Sequence, residues 1–241
     1  MNAHSRVWRL LSVLLAGGQA TAWLFAAAAA NAQPLENVQP LETVQGWGLV
    51  VDPVGDCKFE HEAGKFTIKV PGAYHDLWPG GGKVNAPMVL QEVQGDFSIT
   101  VAVAHIDKAE RDTRISGLGG TTSFHAGSLV IWQDAKNFVR FDRTQMDRGG
   151  QPITSCYLHI FQDGARVAEE APAVPDRPTQ LRLTRKADSL TAAYSQDGGR
   201  NWKDLTSRKI GLPAKVRAGI SALNNTTRGN TVTFEGLKIE K

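Results

Sequence analysis

The sequence predicts an all-β fold, a sandwich or jelly roll of two antiparallel sheets. Three observations carry the prediction. Apolar residues alternate with period two, as where Phe97, Ile99, Val101 and Val103 interleave with Ser98, Thr100, Ala102 and Ala104. The alternating runs are short and are separated by Gly-, Asp- and Asn-rich turns at regular spacing. Beyond the N-terminal segment no window carries the apolar stripe of an amphipathic helix.

Residues 1–32 are read as a signal peptide. His4, Arg6 and Arg9 form a basic head without an acid, an apolar stretch follows from Leu10 to Ala30, and Ala30-Asn31-Ala32 supplies an A-x-A cleavage site. The competing reading is an uncleaved membrane anchor, because the apolar stretch approaches the length of a spanning helix. Either way the chain is expected to be exported, to the periplasm, the cell surface or the medium. Residues 33–46 contain a six-residue duplication, Gln33-Pro34-Leu35-Glu36-Asn37-Val38 and Gln39-Pro40-Leu41-Glu42-Thr43-Val44. It is too short for a solenoid repeat and reads as an extended tether. Residues 47–241 form the expected single domain.

Within that domain hairpins succeed one another. Lys58–Glu62 and Phe66–Val70 flank Ala63-Gly64-Lys65, and Met88–Val93 and Phe97–His105 flank Gln94-Gly95-Asp96. Ser128–Gln133 and Phe138–Arg143 enclose Asp134-Ala135-Lys136-Asn137. Cys156–Gln162 and Ala165–Glu169 meet at Asp163-Gly164, and Gln180–Arg185 and Leu190–Gln196 meet near Ala187-Asp188. Val216–Leu223 and Thr231–Ile239 close the chain, with Gly236 breaking the alternation as a bulge does. The last strand is expected to pair near Trp47–Val51. Ser195, Asp197, Gly199 and Trp202 fit the Asp-box spacing, which a propeller repeats on several blades; here it occurs once and reads as a turn.

Charge excludes one class of function. The chain has 27 Lys and Arg against 24 Asp and Glu, and Arg6 and Arg9 leave with the signal. What remains is near neutral, without the basic footprint of a nucleic-acid binder. Cys57 and Cys156 are the only cysteines, and in an exported chain an even number suggests a disulfide; two separate buried thiols are the alternative.

Several segments in order resemble the concanavalin A-like lectin/glucanase superfamily, and within it the regulation-of-enolase-type β-sandwich family and the sandwich appended to some β-xylosidases. They are Asn85-Ala86-Pro87-Met88-Val89-Leu90, Val93-Gln94-Gly95-Asp96-Phe97, Ala126-Gly127-Ser128-Leu129-Val130-Ile131-Trp132, Asn137-Phe138-Val139-Arg140 and Tyr194-Ser195-Gln196-Asp197-Gly198. The resemblance implies a two-sheet jelly roll whose curved sheet can hold glycans. It supplies no settled activity.

Candidate ligand-binding residues follow from parity. One face of the strands around Ser128, Phe138 and Cys156 gathers Trp132, Phe138, Arg140, Tyr157 and His159, rings beside hydrogen-bonding groups as sugar recognition requires. Burial of the same rings under a loop or the second sheet is the competing reading. The segment Tyr74-His75-Asp76-Leu77-Trp78, followed by Pro79 and three glycines, is a second candidate, as a groove rim offering Tyr74, His75 and Trp78. No catalytic residue is assigned. The Glu-x-Asp-x-x-Glu strand of the superfamily's glucanases is absent, and a lyase built on Tyr157, His159 and Arg140 rests on analogy of fold alone. The histidines show no zinc spacing. Calcium is conceivable at Asp52 and Asp56, but two acids in a turn are ordinary turn formers. The expectation is a non-catalytic module binding a polysaccharide or glycoconjugate; the alternatives are a glycoside hydrolase or polysaccharide lyase, or an envelope domain that binds a protein.

Overall fold

A computed structural model describes residues 42–111 and 122–241. The expected signal peptide and the first part of the expected linker lie outside the described residues. The strands are β1 (Thr43–Val44), β2 (Gly48–Val51), β3 (Lys58–Glu62), β4 (Lys65–Val70), β5 (Leu77–Trp78), β6 (Lys83–Val84), β7 (Met88–Gln94), β8 (Phe97–Ile106) and β9 (Thr122–Trp132). They continue as β10 (Phe138–Arg148), β11 (Gln151–Gln162), β12 (Ala165–Glu170), β13 (Thr179–Lys186), β14 (Ser189–Ser195), β15 (Lys203–Asp204), β16 (Arg208–Lys209), β17 (Lys215–Asn224) and β18 (Asn230–Glu240).

Two antiparallel sheets pack face to face, as the alternation predicts. Sheet A has the order β1-β2-β7-β17-β9-β10-β11-β12, and sheet B the order β15-β14-β13-β8-β18-β4-β3, with β16 beside β14. The core lies between them, from Phe66, Ile99 and Phe234 of sheet B to Leu129, Phe141 and Ile220 of sheet A. On β8 burial alternates as the sequence does, with Phe97, Ile99, Val101 and Val103 buried and the residues between them half-exposed. Two glycines permit close approach. A Cβ on Gly127 would fall 2.7 Å from Val232 Cγ1 and 2.8 Å from Val103 Cγ1, where β9 faces sheet B. A Cβ on Gly219 would fall 1.9 Å from the Val89 carbonyl oxygen, where β17 runs beside β7.

The hairpins are where the turn residues put them. Asp163 and Gly164 both take positive φ (50° and 81°), as a tight two-residue turn between β11 and β12 demands. In the Asp-box-like turn Asp197 Oδ1 accepts hydrogen bonds from Ser195 Oγ at 2.8 Å and the Asn201 amide at 2.9 Å. The second bond and the Asn201 side chain hold the Asp197 carboxyl down at about 2. β18 changes register between Glu235 and Lys238, around Gly236.

Three expectations are corrected. The last strand does not pair near Trp47–Val51: β18 pairs β4 and β8 in sheet B, whereas β2 pairs β1 and β7 in sheet A. Thr43–Val44, assigned to the linker, form β1. The disulfide does not form, and Cys57 and Cys156 are free thiols. Cys57 precedes β3 at one edge of sheet B, whereas Cys156 sits on β11 near the opposite edge of sheet A, so the sandwich holds them apart. Burial pushes both thiols up, Cys156 to about 12, so each stays protonated unless a bound cation displaces its proton.

β9, β10 and β11 run on further than the turn-bounded segments suggest. Phe138–Arg148 pairs without a break to β9 on one side and β11 on the other. This long central ribbon offers its second face away from the core. A lobe made of the β5–β6 hairpin and a 3₁₀ turn at Pro79–Gly81 packs on part of that face. Among the described residues no helix is long and apolar enough to cross a membrane.

Candidate functional site

The outer face of sheet A divides in two. Under the lobe, Trp132, Phe138 and Phe161 come from β9, β10 and β11 and stack across the strands. Ring centroids are 5.0 Å apart for Trp132–Phe138 and 4.6 Å for Phe138–Phe161. Leu77 and Ala86 of the lobe join them in a second apolar cluster. Trp132 is fully buried there, 0% exposed. The expectation that Trp132 contacts a ligand is therefore corrected: the ring anchors the lobe, which is the covering outcome that parity left open.

Beside the lobe the face stays open as a groove of about 340 Å³. Trp78 of the lobe and Tyr157 of β11 are half-buried in it, with Phe124 of β9. The Trp78 ring stands edge-on to Phe161 (5.6 Å), and the Arg166 guanidinium lies 4.9 Å from its centroid. Arg166 is itself paired with Glu169 of the same strand. Tyr157 stacks on His159, with centroids 5.5 Å apart and planes 6° from parallel. Residues 157 and 159 share a face by strand parity, which is why the sequence pairs them.

A buried ionic cluster forms the floor. Arg140 on β10 donates from Nη1 to Asp76 Oδ1 at 2.5 Å and to the Leu77 carbonyl at 3.1 Å. Its Nε lies 3.1 Å from Asp142 Oδ2, at an angle that makes an ion pair without a hydrogen bond. The three side chains are 5%, 2% and 2% exposed. Arg140 thus ties the lobe to sheet A and spends its charge on two carboxylates. Burial pushes the Asp142 carboxyl up to about 6, against the opposing pull of Arg140. Burial and the Arg140 and Arg166 charges hold His159 well below the usual imidazole range, so it is neutral. His159 Nδ1 has no hydrogen-bond partner among the described residues, and the Ser128 hydroxyl, opposite Asp142 on β9, pulls the Asp142 carboxyl down against its burial.

Of the residues singled out by sequence, Arg140, Tyr157, His159 and Trp78 meet at this groove. Tyr74 stands behind it, donating its hydroxyl to Asp76 Oδ2 at 3.1 Å, and burial raises its pKa. His75 points elsewhere, toward Asp56. Asp52 acts as the turn former expected, accepting from the Cys57 amide at 2.9 Å and the Val54 amide at 3.3 Å. Sequence reasoning passed over Thr144, Arg148, Arg166 and Glu169, which line the groove, and put Asp76 in the rim loop and Asp142 on the strand face without assigning either to the site. Asp142, Thr144 and Arg148 continue the parity of Arg140 along β10; reading that strand past Arg143 finds the last two.

Residues 58–241 match a family described as protein of unknown function, DUF1349. The chain belongs to this family. No curated protein matches the sequence. Among solved structures, DUF1349 residues here superpose on a functionally unknown protein from Saccharomyces cerevisiae with a TM-score of 0.58 at 16% identity, covering 76% of this chain and 91% of that one. A Bacteroides ovatus protein described as xyloglucan PUL GH43B gives 0.52 at 13% identity, covering 86% of this chain and 39% of that chain. The GH43 BlXynB protein of Bacillus licheniformis gives 0.56 at 12%, covering 82% and 37%. This chain therefore spans less than two-fifths of each of the two GH43 proteins. At such identities the similarity is one of fold: a jelly-roll-type β-sandwich.

Proposed function

We propose that this DUF1349 protein is a concanavalin A-like carbohydrate-binding module, exported from the cell, that holds a neutral saccharide in the groove between Trp78 and Tyr157. The observation that carries the reading is the composition of the groove. Half-buried rings offer apolar surface to the faces of sugar rings. His159 Nδ1 is a polar atom without a protein partner on its floor, and an unpaired buried polar atom costs about 1–3 kcal/mol until a ligand or water satisfies it. The charges balance: Arg140, Arg148 and Arg166 face Asp76, Asp142 and Glu169. A hydroxyl-rich neutral ligand suits such a site better than a uronate. Two of the fold neighbours are parts of GH43 proteins, which supports the reading without deciding it.

The test is calorimetry against a panel of neutral oligosaccharides. Xyloglucan fragments belong on it, because one neighbour carries that polysaccharide in its name. Trp78→Ala and Tyr157→Ala are each expected to weaken binding about tenfold or more, as loss of an aromatic anchor does. Silence of the wild type across the panel, or wild-type affinity in both variants, rejects the reading.

One observation favours a second reading, hydrolysis. Asp142 is a carboxyl with a raised pKa in a groove, the condition of a general acid. A partner carboxylate at about 5–9.5 Å is then needed, and Glu169 is the one not engaged by Arg140. New reducing ends on incubation with the bound sugar, lost in Asp142→Asn, separate the enzyme from the module.

A further inference from the structure

Away from the groove, the loop between β2 and β3 meets the segment between β4 and β5. His75 is 1% exposed, and its backbone is clamped to the end of β17: its amide donates to the Asn224 carbonyl at 2.8 Å, and its carbonyl accepts from the Asn224 amide at 2.9 Å. Its Nδ1 lies 3.1 Å from the Ala73 carbonyl oxygen. A carbonyl oxygen only accepts, so Nδ1 carries the N–H. In the neutral ring the lone pair is then on Nε2. Nε2 lies 2.9 Å from Asp56 Oδ1, which is also an acceptor. Two lone pairs do not face each other at that distance unless a cation, a proton or a metal, lies between them. The Cys57 Sγ approaches the same oxygen at 3.6 Å. All three donor atoms lie within 4.8 Å of one another.

We propose that Asp56, Cys57 and His75 form a binding site for a divalent cation of the zinc class. What favours a metal over a shared proton is the third donor: a proton bridges two atoms, and here the Cys57 Sγ converges with the imidazole and the carboxylate. A tetrahedral site with ordinary zinc–nitrogen, zinc–oxygen and zinc–sulfur bonds places N and O about 3.3 Å apart and S and O about 3.5 Å apart. The S–O separation here, 3.6 Å, is close to that value, and the N–O separation, 2.9 Å, is that of an ordinary hydrogen bond and widens by about 0.4 Å on binding. The Nδ1–H to Ala73 contact is the outer bond that fixes the tautomer of a metal-ligating histidine. Asp52 plays a matching outer role: its carboxylate accepts from the Cys57 amide and so orients the loop that carries two of the ligands. A thiolate and an imidazole select a borderline-soft ion over calcium or magnesium. Asp56 keeps 38% of its side chain exposed, which leaves a path for the ion and a solvent molecule as fourth ligand. On binding, the Cys57 thiol gives its proton to solvent and the metal–sulfur bond replaces it. The ion would staple the β2–β3 loop to the segment that supplies Asp76 and Trp78 to the groove. The inference does not depend on what the groove binds.

The full protein, kept reduced, is titrated with Co²⁺ as a spectroscopic probe and then with Zn²⁺. Expected are one equivalent of Co²⁺, visible bands of a tetrahedral ion, a near-ultraviolet thiolate-to-cobalt charge-transfer band, and one-for-one bleaching by Zn²⁺. Cys57→Ser removes the charge-transfer band, and Asp56→Asn weakens Co²⁺ binding by more than ~100-fold, beyond the loss typical of an outer partner. Cys156→Ala changes nothing. Because His75 is buried and its variants risk misfolding, the test rests on Asp56 and Cys57. No saturable uptake at one equivalent, or a charge-transfer band that survives Cys57→Ser, overturns the proposal.

Discussion

Replacing Asp142 by Asn probes the buried floor of the groove through its dependence on pH. The carboxyl moves from an ordinary 3.8 to about 6 on folding, a rise of roughly two units, and each unit is worth about 1.4 kcal/mol. A carboxyl raised by folding keeps its proton in the native state over a range where the unfolded chain has released it. Between about pH 4 and pH 6 the native protein therefore binds more protons, and stability falls as pH rises through that window. The group contributes a loss of about 3 kcal/mol, absent below about pH 4 and complete above about pH 6. Asn has no proton to lose. Urea unfolding of wild type and Asp142→Asn at about pH 4 and about pH 7.5 isolates this term, because other titrating groups are common to both proteins. The stability difference should shift by about 3 kcal/mol in favour of the variant at the higher pH, whatever its offset at the lower. Parallel stability curves would mean that Asp142 is not desolvated on the groove floor, and the account of that floor would fail.

Arg140→Met leaves the Asp76 and Asp142 carboxylates buried without their shared countercharge. It should cost about 3–5 kcal/mol at neutral pH; a change in the urea-derived stability below about 1 kcal/mol would show that the ion cluster is not an internal one. Gly219→Ala sets a methyl against the Val89 carbonyl oxygen, and no rotamer change relieves a clash with main chain. Strands β7 and β17 must separate, at a cost of about 3 kcal/mol or more by chemical denaturation. A variant as stable as wild type would refute that packing.

The alternation of β9, β10 and β11 sufficed to place Arg140, Tyr157 and His159 on one face, because side-chain direction in a strand repeats every two residues whatever surrounds it. The same alternation put Trp132 and Phe138 on that face, and there it misled. Nothing in residues 128–143 records that Leu77 and Ala86, some fifty residues upstream, lie over these two rings. The strand ends were also hidden. Thr144, Gln145 and Asp147 look like turn residues, yet they stay paired on both sides because β10 is an inner strand of the sheet. Asp142 was visible by parity but not its chemistry, since its shifted titration comes from burial under Asp76 and Arg140.

Sequence alone determined the turns, the strand faces and the two-layer class. These are local properties, set by backbone preference and by the pleat. Tertiary structure alone decided which rings are covered, which charges share Arg140, why Cys57 lies apart from Cys156, and that Asp56, Cys57 and His75 converge. Those facts depend on segments far apart in the chain coming to lie on one another, and desolvation acts only once they have.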